Sequence, residues 1–376
     1  MKQFLANHIK NLGGWTTQRK IVCFAVDDYG NVRLHSPKAL ENLKTKGVKL
    51  KNRFDHFDAL DTREDFEQLY EVLNSVKDQH QNPAIFTPYA LSANIDFESV
   101  LTHKKKYECD LLPITYKKLE AEDEAYKDAW KMLQEGIKLN FIKPQFHGRE
   151  HLNVRLFEDL LDEKNSALIT NLENHSYAGI PSHSKKPTVS FTQAFAFWDE
   201  AEVSEHQNII EDGLRCFEKV YGYKSMSFTP PAQQLHPKLY QILDKLDIKA
   251  IDKPRVTNRH LGCHKFVKEK NKLGFQKKQK HITIVRNVVF EPTENKNMDW
   301  VNFTFKQIQA AFRTHKPAIV SSHRVNYCGR ISPQNRTNGL KELKSLLHKV
   351  VNKYPDVEFL SIDALVKEIV NSNSKQ

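Results

Sequence analysis

The chain has 376 residues, 39% of them hydrophobic and 27% charged, and its 57 basic against 46 acidic side chains give a net charge of +11. With 22 Phe and 12 Tyr it has ample bulky core material, which argues against disorder and for one large domain, expected over 18–370. No run approaches the ~18 consecutive apolar residues of a membrane helix, and MKQFLANHIKNLGGW is too broken by Asn, His and Lys to read as a secretory signal. Five widely spaced cysteines (Cys23, Cys109, Cys216, Cys263, Cys328) include no Cys-x-x-Cys pair. They argue against a disulfide framework or a cysteine zinc finger, and the chain is expected to be cytoplasmic with free thiols.

Short apolar runs alternate with helical periodicity along the chain. IVCFAVD (21–27) reads as a strand, followed by a helix near Pro37–Thr45. AIFTP (84–88) is the next strand, and YKDAWKMLQEG the next helix, closed by Gly136. SALIT (166–170) reads as a strand after a helix at Val154–Leu161. EHQNIIEDGLRCFEKVYG is a helix closed by Gly222, followed by the strand SMSFTP (225–230), the helix PKLYQILDKL and the strand IKAID (248–252). HITIVRNVVF (281–290) reads as one strand, VNFTFKQIQAAFRTH as a helix and AIVSSH (318–323) as a strand. The series closes with a helix near Gly339–Asn352, the strand VEFLS (357–361) and a helix over Ile362–Val370. Such alternation calls for a parallel sheet with helices outside, and seven or eight strands fit a closed or nearly closed barrel better than an open sheet. In barrels of this kind chemistry sits where strands end.

Between His264 and His281, seven lysines face one glutamate. Such a run reads as a solvated basic loop, or as a dock for something anionic. No aromatic residues alternate with the lysines, which argues against single-stranded nucleic acid.

Three strand ends or loops carry candidate chemistry. Asp27-Asp28-Tyr29-Gly30 follows the first strand. Adjacent carboxylates at a buried strand end persist mainly where a metal or a shared proton compensates them, although a turn or helix cap is the plain alternative. His147-Gly-Arg-Glu-His151 places two histidines at i and i+4, the spacing that lets both face one ion from a helical turn, and it also satisfies His-x-x-Glu-His, a peptidase signature. His323 ends AIVSSH, a position suited to proton transfer as well as to a structural role. Two histidines and one carboxylate leave open positions for water and substrate, as a catalytic zinc needs, but the same set matches non-haem iron.

The order Asp-Asp, His-x-x-x-His and strand-borne His resembles the polysaccharide deacetylases, carbohydrate esterase family 4 with its NodB-type homology domain, over roughly residues 20–365. The resemblance implies a distorted (β/α) barrel, with Asp27 as general base and His323 as acid. It implies a divalent metal on Asp28, His147 and His151, zinc first, with cobalt, nickel or manganese as alternatives. Pro230 and Pro231 of SFTPPAQQL would line the groove, and Asp299-Trp300 would buttress His323. Three features depart from the family pattern. Tyr29 stands where a glycine is usual, 54–120 reads as an insertion, and the groove motif lacks the arginine that pairs with the base, a role for which Arg149 or Arg324 is the candidate substitute.

The implied reaction is hydrolysis of an N-acetyl or O-acetyl group on a carbohydrate: an acetylated glycan, or a lipid-linked or nucleotide-linked sugar. Neither a nucleic-acid partner nor a membrane span is expected. Two other readings stay open: a zinc peptidase using Glu150 as base, and a glycan-binding barrel whose chemistry has decayed.

Overall fold

The run Ile21–Val26 is wholly apolar, so a strand built from it has to be covered on both faces. In the computed structural model, which describes residues 2–103, 106–263, 265–275 and 280–373, each of these six residues is at most 1% exposed. They lie in β1 (Lys20–Tyr29), followed in chain order by β2 (Phe86–Leu91), β3 (Gln145–Gly148), β4 (Ser227–Phe228), β5 (Ala250–Asp252), β6 (Ile282–Ile284), β7 (Val288–Val289), β8 (Ala318–His323) and β9 (Val357–Phe359).

Eight of these strands run in the spatial order β6-β5-β4-β3-β2-β1-β8-β7, and β9 pairs with the first residues of β1. Every pairing is parallel. The fold is a distorted (β/α) barrel. The edge strands β6 and β7 are not paired to each other and are joined only by residues 285–287. Because the strands are parallel, their carboxyl ends open on one side, and the residues that follow them gather there.

The helices outside follow local rules. Ser36 accepts a hydrogen bond from Ala39 N and starts Pro37–Thr45. Gly222, at φ +79°, closes Val203–Tyr221. Among the described residues no helix is long and apolar enough to cross a membrane. All five cysteines are free.

Several expectations from the sequence are corrected. SALIT is helical, within Ser166–Leu172, because Asn165 caps it by accepting from Leu168 N; a five-residue apolar run does not by itself distinguish helix from strand. Gly136 does not close its helix but lies inside Ala129–Lys138, where a Cβ would come 2.0 Å from the Tyr70 hydroxyl. The run 281–290 is two strands, broken at 285–287. The expected insertion, 54–120, contributes β2 to the middle of the sheet, so only its flanks lie outside. The basic stretch 264–281 is not all loop. Phe266–Lys270 pairs antiparallel with Val256–His260 in a separate hairpin, while His264, Lys277 and Lys278 lie outside the described residues.

Candidate active site

The site begins with a break in pairing. Against β2, β1 advances from Val26 to Tyr29 while its partner advances only from Pro88 to Ala90, which leaves one extra residue in β1. Asp28 takes it up with φ +73°, a left-handed conformation that costs a non-glycine residue about 1–3 kcal/mol and is common where side chains must be re-aimed. The consequence is that Asp27 and Asp28 both line a cleft of about 520 Å³. Tyr29 goes the other way, into the apolar core at 2% exposure, and does not line the cleft.

His147 lies on β3, and its Nδ1–H donates to the Thr229 carbonyl at 2.7 Å. This fixes the tautomer, so Nε2 carries the lone pair; it is buried, without a hydrogen-bond partner, and 3.4 Å from Asp28 Oδ1. His151 brings its Nε2 within 3.1 Å of the same oxygen. The two histidines do not share a helical turn. His147 lies one residue before the end of its strand, Gly148 ends it at φ +137°, and His151 follows in a bend. The three ligand atoms lie within 4.8 Å of one another. Two imidazoles and a carboxylate, with one buried ring nitrogen unpartnered and its opposite nitrogen locked, fit a divalent cation.

The arginine absent from the groove motif comes from another strand exit. Arg286, in the 285–287 link between the sheet's two edges, donates Nη1 to Asp27 Oδ2 at 2.8 Å and Nη2 to Asp27 Oδ1 at 2.7 Å. Its Nε donates to Asp252 Oδ2 at 2.5 Å, which also accepts from Thr229 Oγ1. Burial alone would raise the Asp27 pKa, but the Arg286 charge and its paired hydrogen bonds hold it below the usual carboxylate value. Asp28 is likewise held well below its ordinary value, as His151 and His147 outweigh burial.

The register of β8 on β1 sets Asp27 directly beside His323. His323 Nε2 is 3.8 Å from Asp27 Oδ2, and Nδ1–H donates to Glu291 Oε1 at 2.6 Å. Glu291 is itself held by Asn326 at 2.8 Å and Arg53 at 2.9 Å. Burial lowers the His323 pKa, yet the charge and hydrogen bond of Glu291, with the two aspartates, push it up to about 9. The Phe54 ring meets it edge-on at 5.2 Å.

The remaining sequence candidates are placed as follows. Pro230 lines the cleft, whereas Pro231 lies beside Gly148, where a Cβ would meet it at 3.5 Å. Arg149 pairs with Glu150 and Asp212, and Arg324 is buried against Asp58 and Asp61, so neither reaches Asp27. Asp299 caps its helix by accepting from Asn302 N, and Trp300 donates to the Asn295 carbonyl; the place at His323 belongs to Glu291. Glu150, the base of the peptidase reading, accepts from Arg149 and Tyr107 and does not line the cleft. Arg286, Glu291 and Asp252 went unrecognised in the sequence. The one available signal for the first two was their position just after short strands, hidden because 281–290 reads as continuous.

No protein-family profile and no curated protein matches the chain. Solved structures do resemble it. A protein from Mycobacterium smegmatis assigned as a polysaccharide deacetylase is 8% identical over 96% of this chain and 94% of its own, with TM-score 0.47. One from Parabacteroides distasonis assigned as a glycoside hydrolase/deacetylase is 9% identical over 95% and 73%, TM-score 0.48. A third, from Pseudomonas aeruginosa PAO1 and assigned as a polysaccharide deacetylase, is 8% identical over 93% and 91%, TM-score 0.44. The solved structures that this chain resembles thus include polysaccharide deacetylases.

Proposed function

We propose that the chain is a metal-dependent hydrolase that removes an acyl group, N-acetyl first, from a carbohydrate. The observation that carries this reading is one cleft in which Asp27, held ionised by Arg286, faces His323, held protonated by Glu291, next to the unpartnered Nε2 of His147. Environments that push two groups in opposite directions are how one site holds a base and an acid at the same pH.

Asp28, His147 and His151 would hold a divalent cation, zinc by its donor set, which when bound supplies charge stabilisation for an acyl oxygen and a water of lowered pKa. Asp27 takes the proton of the attacking water, its carboxylate kept in one orientation by the two Arg286 bonds. His323 donates its Nε2 proton to the leaving nitrogen, a group too basic to depart as an anion. Asn52 and Phe54 form part of the cleft wall, so the flank of the 54–120 stretch shapes the substrate groove. We take 18–370 as one catalytic domain acting on a glycan, or on a lipid-linked or nucleotide-linked sugar, in the cytoplasm.

The test is acetate release from a panel of N-acetylated oligosaccharides and a nucleotide-linked N-acetyl sugar. Asp27→Asn and His323→Ala should each cut release by on the order of 10²–10⁴-fold, while Glu150→Gln retains most of it. Release undiminished by either of the first two substitutions refutes the assignment. Peptide cleavage lost in Glu150→Gln would favour the peptidase instead.

A further inference from the structure

Of the twelve large apolar side chains exposed among the described residues, nine lie on two segments far from the cleft residues in sequence. Four are Phe4, Leu5, Ile9 and Leu12, on the helix Lys2–Ile9 and the turns that continue it. The other five belong to the Val256–His260/Phe266–Lys270 hairpin and the chain that follows it, Val256 and Phe275 among them at 47% and 49% exposure.

The helix is inverted relative to an ordinary surface helix. Its inward residues are Asn7 and Asn11, at 5% and 4% exposure, with Asn11 Oδ1 accepting from Asn287. Its outward residues Leu5, Ile9 and Leu12, at i, i+4 and i+7, form one apolar row. Exposed apolar rows on a water-facing helix mark an interaction surface.

The two segments meet at a basic cavity of about 140 Å³, whose rim includes Leu12 and Val256. Five cations line it, Lys10, Arg255, Lys270, Lys272 and Lys316, and no lining residue is acidic. Lys316 is buried and donates to the Gly14 and Trp15 carbonyls at 2.7 Å, and Lys10 donates to Gln307. Arg255, Lys270 and Lys272 are exposed and make no side-chain ion pair among the described residues. Val256 and Lys270 are cross-strand partners, so apolar and cationic groups alternate at the cavity's edge.

We propose that this face docks on an anionic lipid bilayer, with Leu5, Ile9, Leu12 and Val256 entering the headgroup boundary and the lysine-arginine cavity taking lipid phosphates. An apolar row flanked by unpaired cations is the composition that binds such interfaces, and each cation near an anionic surface adds about 1 kcal/mol. A polyanion alone leaves the apolar row without a use. Lys316 precedes β8 and His323 ends it, so the dock and the cleft lie about 20 Å apart along that strand and the cleft stays open.

The experiment is co-sedimentation of the full chain with phosphatidylcholine vesicles, with and without about 30% phosphatidylglycerol as the source of surface charge. The wild type should bind the anionic vesicles at least about tenfold better, and lose that binding between about 0.1 and 0.5 M salt. Arg255→Glu with Lys270→Glu and Lys272→Glu should lower the affinity more than about tenfold, and Leu5→Ser with Ile9→Ser should do the same while leaving acetate release unchanged. Equal binding to both vesicle types, or no binding, overturns the proposal. So does full vesicle binding by the Leu5/Ile9 variant, which would make the cavity a site for soluble phosphates. A wild type that runs as a dimer and becomes monomeric in that variant would assign the face to a second copy.

Discussion

Among the described residues, two places bring two histidines and a carboxylate within ligand distance: Asp28, His147 and His151 in the cleft, and His35, Glu122 and His175 on the flank. They differ in how far their polar atoms are already satisfied. On the flank, His35 Nε2 bonds Glu122 Oε2 at 3.1 Å, Glu122 is exposed, and the His175 ring stacks on Phe97 at 5.3 Å. In the cleft, His147 is locked from behind by the Thr229 carbonyl and leaves Nε2 buried without a bond. A buried, unsatisfied donor or acceptor costs roughly 1–3 kcal/mol, so a fold that keeps one needs a compensating partner; the flank cluster has no such need. The same three residue types therefore make a candidate metal centre in one place and a surface contact in the other.

The largest effect that separates the two places is catalytic. Asp27→Asn or His323→Ala should cut acyl release by on the order of 10²–10⁴-fold, whereas His35→Ala should leave it unchanged in the same assay. Equal losses in all three variants would erase the distinction.

A mid-sized effect concerns the proposed acid, His323. His323 is pushed up to about 9 chiefly because Glu291 offsets burial, so its protonated, donating form dominates below that pH and activity should fall as pH rises through it. Glu291→Gln removes the charge that raises the value while burial continues to lower it. The basic limb of the pH–rate profile should then move down toward neutrality, with the acidic limb unmoved. A variant that merely loosens the site would lower the rate at every pH and leave the limb in place.

The smallest effect lies on the flank. Glu122→Gln removes a partly exposed pair, worth about 0–1 kcal/mol, and should barely shift the denaturation midpoint. A loss of several kcal/mol, reversed by added metal, would promote this cluster to a real site.

How much of this was legible in the sequence depended on distance along the chain. Asp27-Asp28 and His323 sit at ends of strands whose apolar runs are unmistakable, and the parallel barrel follows from the strand–helix alternation; the strand Gln145–Gly148 that carries His147 was not among the expected strands, and His151 lies in the bend after it. What could not be read is what depends on pairing. HITIVRNVVF scans as one strand, because only the unpaired gap between β6 and β7 breaks it and turns Arg286 inward. Glu291 sits just past the same run and meets His323 only through the alignment of β7 on β8. Spacing suggested a helical turn for His147 and His151, whereas Gly148 makes a sharper turn out of a strand. The lysine-rich stretch looked like loop because its strand partner, Val256–His260, has little apolar alternation of its own.

The most direct measurement of the central claim is metal content in the purified wild type beside Asp28→Ala, His147→Ala and His35→Ala. About one equivalent of a divalent metal is expected in the wild type and in His35→Ala, with none in the other two, because the proposed site needs both the locked imidazole and the bulged aspartate. Metal retained in Asp28→Ala, or lost only in His35→Ala, would contradict the account.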